Sequence, residues 1–229
     1  MVRVLADRRG MALLLVLGMV ALLTAMIVSF SSDESLDIEL AYNFRDSVQA
    51  QYVARGGVEA AIAVLGEDDA SHDSTDEQWG KFAEYAAGAS AYLEGGGLEA
   101  TITDESGKID LNALATNDAY REQRINQFVR LFSILHIDIA EEEAREIAYA
   151  VIDWVDADNE TELGAEDDYY QGLDPPYHCK NAPMDTPEEI LLVRGMKKEY
   201  FFGAKDYEGI RDYVTVGTNG KINVNTASD

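Results

Sequence analysis

RRGMALLLVLGMV, residues 8–20, places two arginines and a glycine ahead of an apolar run, and the reading of that run decides the architecture. From Met11 to Phe30 there are 20 residues without a charge, with Thr24 and Ser29 as the hydroxyls among them. As an α-helix this stretch spans about 30 Å, the thickness of a bilayer core. Arg3, Arg8 and Arg9 precede it, and Asp33, Glu34, Asp37 and Glu39 follow. The positive-inside rule therefore leaves the N-terminus cytoplasmic and exports the remainder. A removable secretory signal has a shorter apolar core and a small-x-small cleavage site. Ser29-Phe30-Ser31 matches that site poorly, so the physics favours a retained anchor.

Helical spacing continues past the anchor. Leu36, Leu40, Phe44, Val48, Tyr52, Val58, Ile62 and Leu65 recur on one face, and Ser35–Leu65 holds no proline. Gly56-Gly57 is the weak point, each glycine costing about 1 kcal/mol relative to alanine in a helix interior. One helix is expected from Met11 to about residue 66, half in the membrane and half amphipathic. Its outer half is either a plain stalk or a spine lying against its own globular domain.

The formal net charge of the 229 residues is −25, unevenly spread. Residues 31–229 hold 15 basic and 42 acidic side chains, a net of −27. Such a body repels phosphate backbones, which argues against nucleic acid as a partner, and attracts cations. Cys179 is the one cysteine, so an intrachain disulfide is excluded, and a lone thiol is more often packed than reactive.

Residues 67–80 read as a polar loop ending on Trp79, which should plug into a domain edge. SAYLEGGGLEATITDESGKIDL, 90–111, reads as strand, glycine turn, strand, turn and short strand. Gly95, Gly97 and Ala100 loosely satisfy a dinucleotide-binding pattern, but β-prone ATIT follows where that motif requires a helix, so the nucleotide reading is set aside. Helices are expected from about Asn117, with Ile125, Phe128, Val129, Phe132 and Leu135 inward. Another should start near Asp138, with Glu141 as capping-box partner, and a third at Thr186-Pro187-x-Glu189, stopping at Gly195. A short helix over KKEYFFG is expected to close this block. Strand signals return at 211–217 and 221–225. Gly107-Lys-Ile-Asp-Leu-Asn-Ala recurs as Gly220-Lys-Ile-Asn-Val-Asn-Thr, 113 residues later, as though the helical block were inserted into a small sheet between two related units.

Between Arg145 and Lys180 there are ten acids and no lysine or arginine, and seven of those acids fall within DADNETELGAEDD, 156–168. A hard cation with six to eight oxygen ligands would neutralise this charge and pin the loop. Asp156, Asp158 and Glu160 have the alternating spacing of a calcium loop, and Glu166, Asp167 and Asp168 could close the shell. It is not an EF-hand, since Thr161 stands at the position that needs glycine. A solvated acidic loop remains the alternative. His72, His136 and His178 are scattered, which argues against zinc. H-E-x-x-H, G-x-S-x-G and P-loop motifs are absent from the sequence, so catalysis is not expected.

RRGMALLLVL, ESGKIDLNAL, VIDWVDADNE with GAEDDYY, PEEILLVRGM and KINVNTA occur in this order, and the chain carrying them resembles the K-type minor pseudopilins of type II secretion systems. The resemblance implies an α+β fold: a pilin-like long N-terminal helix plus a small antiparallel sheet, with a large inserted α-helical domain. The implied divisions are a leader at 1–10, the long helix at 11–66 (transmembrane over 11–30) and the first part of the pilin-like domain at 67–112. The inserted domain with its acidic metal loop follows at 113–205, and the return to the sheet at 206–229. A prepilin peptidase of the inner membrane would cut after Gly10 and methylate Met11. The subunit would then join the pseudopilus tip with the I-type and J-type minor pseudopilins, in contact with the major pseudopilin. Calcium at the acidic loop is also implied. Leu15 occupies the fifth mature position, where most pilins keep a glutamate. A buried unpaired carboxylate is expensive in lipid, so leucine there suits a tip subunit needing no such partner. Family members continue beyond the INVNTA segment, whereas this sequence stops at Asp229: either a C-terminal part is absent, or this is a shortened form with an incomplete helical layer. Two other readings remain: a minor pilin of a type IV pilus, and an uncleaved single-pass membrane protein with a calcium-dependent periplasmic domain.

Overall fold

The computed structural model describes residues 8–69, 71–93 and 96–228. The first seven residues of the expected leader, and Gly95 of the expected glycine turn, lie outside the described residues. The described parts fall into two compact units, one from Met1–Gly66 with Glu84–Ala100, the other from Glu67–Ala83 with Thr101–Asp229.

In the first unit, α1 runs unbroken from Arg8–Gly66, 59 residues or about 88 Å. Its apolar part, from Met11 on, is long and apolar enough to cross a membrane. Gly57 earns its place by packing: a Cβ there would lie 3.0 Å from Leu98 Cδ1, whereas Gly56 faces open space. The expected strands near 90–103 do not form among the described residues. The short helix α2 (Phe82–Ala89) is followed by a 3-10 turn over Ser90–Tyr92, and residues 96–104 carry no ladder. The Ser90 hydroxyl takes up the backbone of Leu98 instead, accepting its N–H at 2.8 Å and lying 3.2 Å from its carbonyl oxygen. A β-prone segment without a partner edge gets its hydrogen bonds from a side chain.

The second unit is built around two helices, α3 (Arg121–Ile134) and α4 (Glu141–Val155). Ile125, Phe128, Val129 and Phe132 are buried as their spacing requires, and Leu131 joins them. They meet Ile147, Ala148, Val151 and Ile152 of α4 in one core with Leu111 and Leu114. Phe128 and Phe132 pack edge to face at 5.3 Å. Asp138 does not cap α4: its N-cap is Ala140, without a side-chain bond, and three glutamates fill its first turn. An acidic first turn meets the helix dipole and makes that cap dispensable. His136 ends α3 with φ 56°, exposed. The Thr186–Glu189 capping box forms as read, opening a 3-10 helix over Pro187–Leu192. A short helix α5 (Asp167–Gln171) closes the acidic stretch, and KKEYFFG yields α6, Lys198–Phe202. Trp79 is buried, as expected of a plug.

The small sheet is present, but its strands run parallel, not antiparallel as expected. β1 (Ile109–Asp110) pairs with β2 (Val214–Thr215) in the register Ile109↔Val214 and Asp110↔Thr215. The reason is the connection: the whole helical block lies between them, and a long crossover brings a strand back in the same sense, where a tight hairpin would reverse it. Residues 221–225 are near β1 without joining it as a strand.

Candidate metal centre

Apolar periodicity carries α4 inward as far as Val155, and this brings Asp153 along on a fully buried position. Its two carboxylate oxygens accept the N–H of Glu162 at 3.2 and 3.3 Å. The acidic loop thereby folds back over the helix end. Gly164 makes the return possible, since a Cβ there would lie 2.5 Å from the backbone of Ala150. The Arg194 guanidinium donates to the Gly164 carbonyl at 2.6 Å and lies over the Tyr169 ring, while the Arg194 N–H donates to the Tyr170 hydroxyl. Trp154, Tyr170 and Tyr177 stack around this junction, so aromatic packing holds the loop in place.

Of the six expected ligands, the fold gathers three. Asp156, Asp158 and Glu166 offer carboxylate oxygens that all lie within 4.8 Å of one another. No pair of them is farther apart than the span across a cation holding opposed oxygens at about 2.4 Å. Glu166 is 6% exposed, and both its carboxylate oxygens are buried without a hydrogen-bond partner. Asp156 Oδ1 is in the same condition. Asp158 Oδ1 accepts the Glu160 N–H at 2.8 Å, which shapes the turn. The other three candidates stand apart. Glu160 and Asp168 are exposed. Asp167 is committed to the 178–179 segment, accepting the Cys179 N–H at 2.9 Å and facing His178 Nδ1 at 3.0 Å.

The electrostatics fit the geometry. Burial raises Asp156 to about 6, and the neighbouring Asp158 charge adds to it. Burial, then the charges of Asp153 and Asp156, push Glu166 up to about 7. Asp153 is raised too, chiefly by burial. Packed carboxylates that penalise one another's ionisation are what a divalent cation relieves. Cys179 is buried and its thiol is pushed up to about 11 by that burial, which leaves it inert.

Sequence reading missed Asn181. Its Nδ2 donates to the Asp158 carbonyl at 2.6 Å and to Asn159 Oδ1 at 3.0 Å, while its own Oδ1 is buried without a partner. It lies 23 residues beyond Asp158, where no ligand spacing signals it. The donors are all hard oxygens, and the orphaned buried ones lie on Asp156, Glu166 and Asn181. These residues fit calcium better than any nitrogen- or sulfur-seeking metal.

The fold and this oxygen-lined loop define a pilin-like α+β protein: one membrane-length helix joined to a helical block inserted beside a minimal sheet. Comparison narrows the class. Residues 107–217 match the family model described as Type II secretion system (T2SS), protein K. Type II secretion system protein K of Pseudomonas aeruginosa is 29% identical over 96% of this chain and 66% of its own length. The Klebsiella pneumoniae protein of the same name is 27% identical over the same shares. The chain thus spans a little under two thirds of the length of these relatives. Among solved structures, the crystal structure of the GspK-GspI-GspJ complex from the enterotoxigenic Escherichia coli type 2 secretion system superposes with a TM-score of 0.63 at 24% identity. The match covers 82% of this chain and 65% of that one.

Proposed function

We propose that this chain is a non-catalytic K-type minor pseudopilin that initiates or caps the pseudopilus of a type II secretion system. The observation carrying this reading is the protein K match over 107–217, downstream of a helix with the length and apolarity of a membrane anchor. The N-terminus is cytoplasmic and the acidic body periplasmic, following the charge asymmetry around Met11–Phe30. The partners are I-type and J-type minor pseudopilins, as in the complex named for the structural neighbour, and the major pseudopilin below them. A prepilin peptidase cuts after Gly10 and methylates Met11. Calcium is held by Asp156, Asp158 and Glu166. It neutralises the loop and fixes the surface that the loop presents. Mass spectrometry of the membrane-extracted protein tests the assembly role. A methylated Met11 terminus is expected, and an intact Met1 in cells with active prepilin peptidase overturns it.

A further inference from the structure

Residues 178–185, HCKNAPMD, carry no helix or strand, and side chains from elsewhere hold both ends of the segment. At the acidic loop, the Cys179 N–H donates to Asp167 Oδ1 at 2.9 Å. The Asn181 carboxamide donates to the Asp158 carbonyl at 2.6 Å and to Asn159 Oδ1 at 3.0 Å. Asn181 has φ 45°, a left-handed backbone that asparagine adopts more readily than most residues with a side chain.

At the far end, one carboxamide grips one residue of backbone. Asn112 donates to the Met184 carbonyl at 3.1 Å and accepts the Met184 N–H at 2.7 Å, from 72 residues away. Asn112 is itself fixed to the sheet. Its N–H donates to Asp110 Oδ1 at 2.9 Å, and the Leu111 N–H between them donates to the Thr215 carbonyl at 2.9 Å. Asp110 and Thr215 are paired residues of β1 and β2.

The stretch between the two grips is braced. Lys180 Nζ donates to Asp185 Oδ2 at 2.7 Å and to the two Glu189 carboxylate oxygens at 2.9 and 2.8 Å. Glu189 Oε1 also accepts the Asp185 N–H at 2.7 Å, and Glu189 is the capping-box partner of Thr186. Charge-assisted bonds of this kind are about twice as strong as neutral ones, and here they tie residue 180 to residue 185. Cys179 and Met184 are buried in the core that also holds α3 and α4. A segment braced in this way cannot yield at residue 181 without disturbing residue 184.

We propose, resting on the calcium reading of the loop, that residues 178–185 are a strap coupling the cation site to the sheet. Asn181 and Asn112 are its positioning residues. Asn181 acts through the Asp158 backbone, holding it where the Asp158 carboxylate converges with those of Asp156 and Glu166. Asn112 acts through Met184, holding the strap against β1. Without a cation the gathered carboxylates repel one another, and the strap works against that repulsion; a cation removes it and lets loop and strap close firmly. Coupling of this kind is reciprocal: loosening the strap at Asn112 weakens cation binding, and the cation tightens the hold on Met184.

The test uses the isotope-labelled full chain in detergent micelles, with calcium chloride as the probe. In the unaltered chain, calcium should slow hydrogen exchange of the Met184 N–H about tenfold, although that amide bonds to Asn112 and not to the loop. By titration calorimetry, Asn181→Gly should weaken the Kd for calcium about tenfold, since glycine keeps the left-handed backbone and removes the carboxamide. Asn112→Ala should weaken it about threefold. A merely structural role would lower the metal-free Tm of both variants and leave both Kd values unchanged. Unchanged Kd values in both variants overturn the strap and leave the calcium reading standing. Met184 exchange that is indifferent to calcium in a chain that binds it does the same, and needs no variant to fold. Absence of calcium binding by the unaltered chain overturns the calcium reading, and the strap falls with it.

Discussion

Replacing Glu166 by glutamine should stabilise the metal-free protein while removing its response to calcium. Without a cation, the Glu166 carboxylate is buried, has no hydrogen-bond partner among the described residues, and sits among the charges of Asp153 and Asp156; burial first, then those charges, lifts it from 4.5 to about 7. That shift corresponds to about 3 kcal/mol against the ionised folded state. The sign follows from proton binding. Between pH 4.5 and 7 the folded chain holds this proton more tightly than the unfolded one, so the stability tied to Glu166 falls as pH rises through that window and is gone above it. Glu166→Gln is neutral throughout. Metal-free at pH 8 it should gain about 1–3 kcal/mol after relaxation, or about 2–10 °C in Tm for a chain of this size. In wild type, calcium at a hundredfold excess over Kd should add about 2.7 kcal/mol. In the variant most of that gain disappears, because a neutral amide replaces a charged ligand. Urea and thermal unfolding of the detergent-solubilised protein, with EDTA or with calcium, read both effects. A metal-free variant less stable than wild type, or an undiminished calcium shift, would refute the account.

Asp156→Ala combined with Asp158→Ala should abolish the calcium-induced rise in Tm, while Asp168→Ala leaves it intact, because Asp168 is exposed and outside the gathered carboxylates. Arg194→Ala should destabilise the protein by about 1–3 kcal/mol with or without calcium, by orphaning the Gly164 carbonyl; equal Tm values would disprove that tie. Gly56→Ala should stabilise α1 by up to about 1 kcal/mol, while Gly57→Ala gains less or loses, since its Cβ meets Leu98 at 3.0 Å; comparing the two melting curves separates helix propensity from packing. Phe128→Ala should cost about 3–5 kcal/mol in urea unfolding, as expected for a fully buried ring at the α3–α4 contact.

Local, periodic signals were legible in the sequence. The 3.6-residue spacing of Ile125, Phe128 and Phe132, the Thr186 capping box and the apolar run from Met11 act over one or two turns, and each appears where it was read. The strand readings failed at 90–103 because β structure requires a partner edge, and none is supplied there among the described residues; Ser90 satisfies the Leu98 backbone instead. The sense of the sheet depended on how the chain returns after the helical block, which residues 109–110 and 214–215 do not encode by themselves. The metal candidates divide the same way. Linear spacing marked six acids, but the buried return at Gly164 selects Asp156, Asp158 and Glu166, and Asn181 comes from 23 residues beyond Asp158. The repeated GKI motif was visible as text, yet only packing gives it meaning, by burying Leu111 and leaving Val224 in solvent. Sequence determined the helices, the anchor and the charge of the loop, because these rest on neighbours along the chain. Tertiary structure decided which oxygens converge and how the first copy of the motif is buried, because both depend on residues brought together from distant parts of the chain.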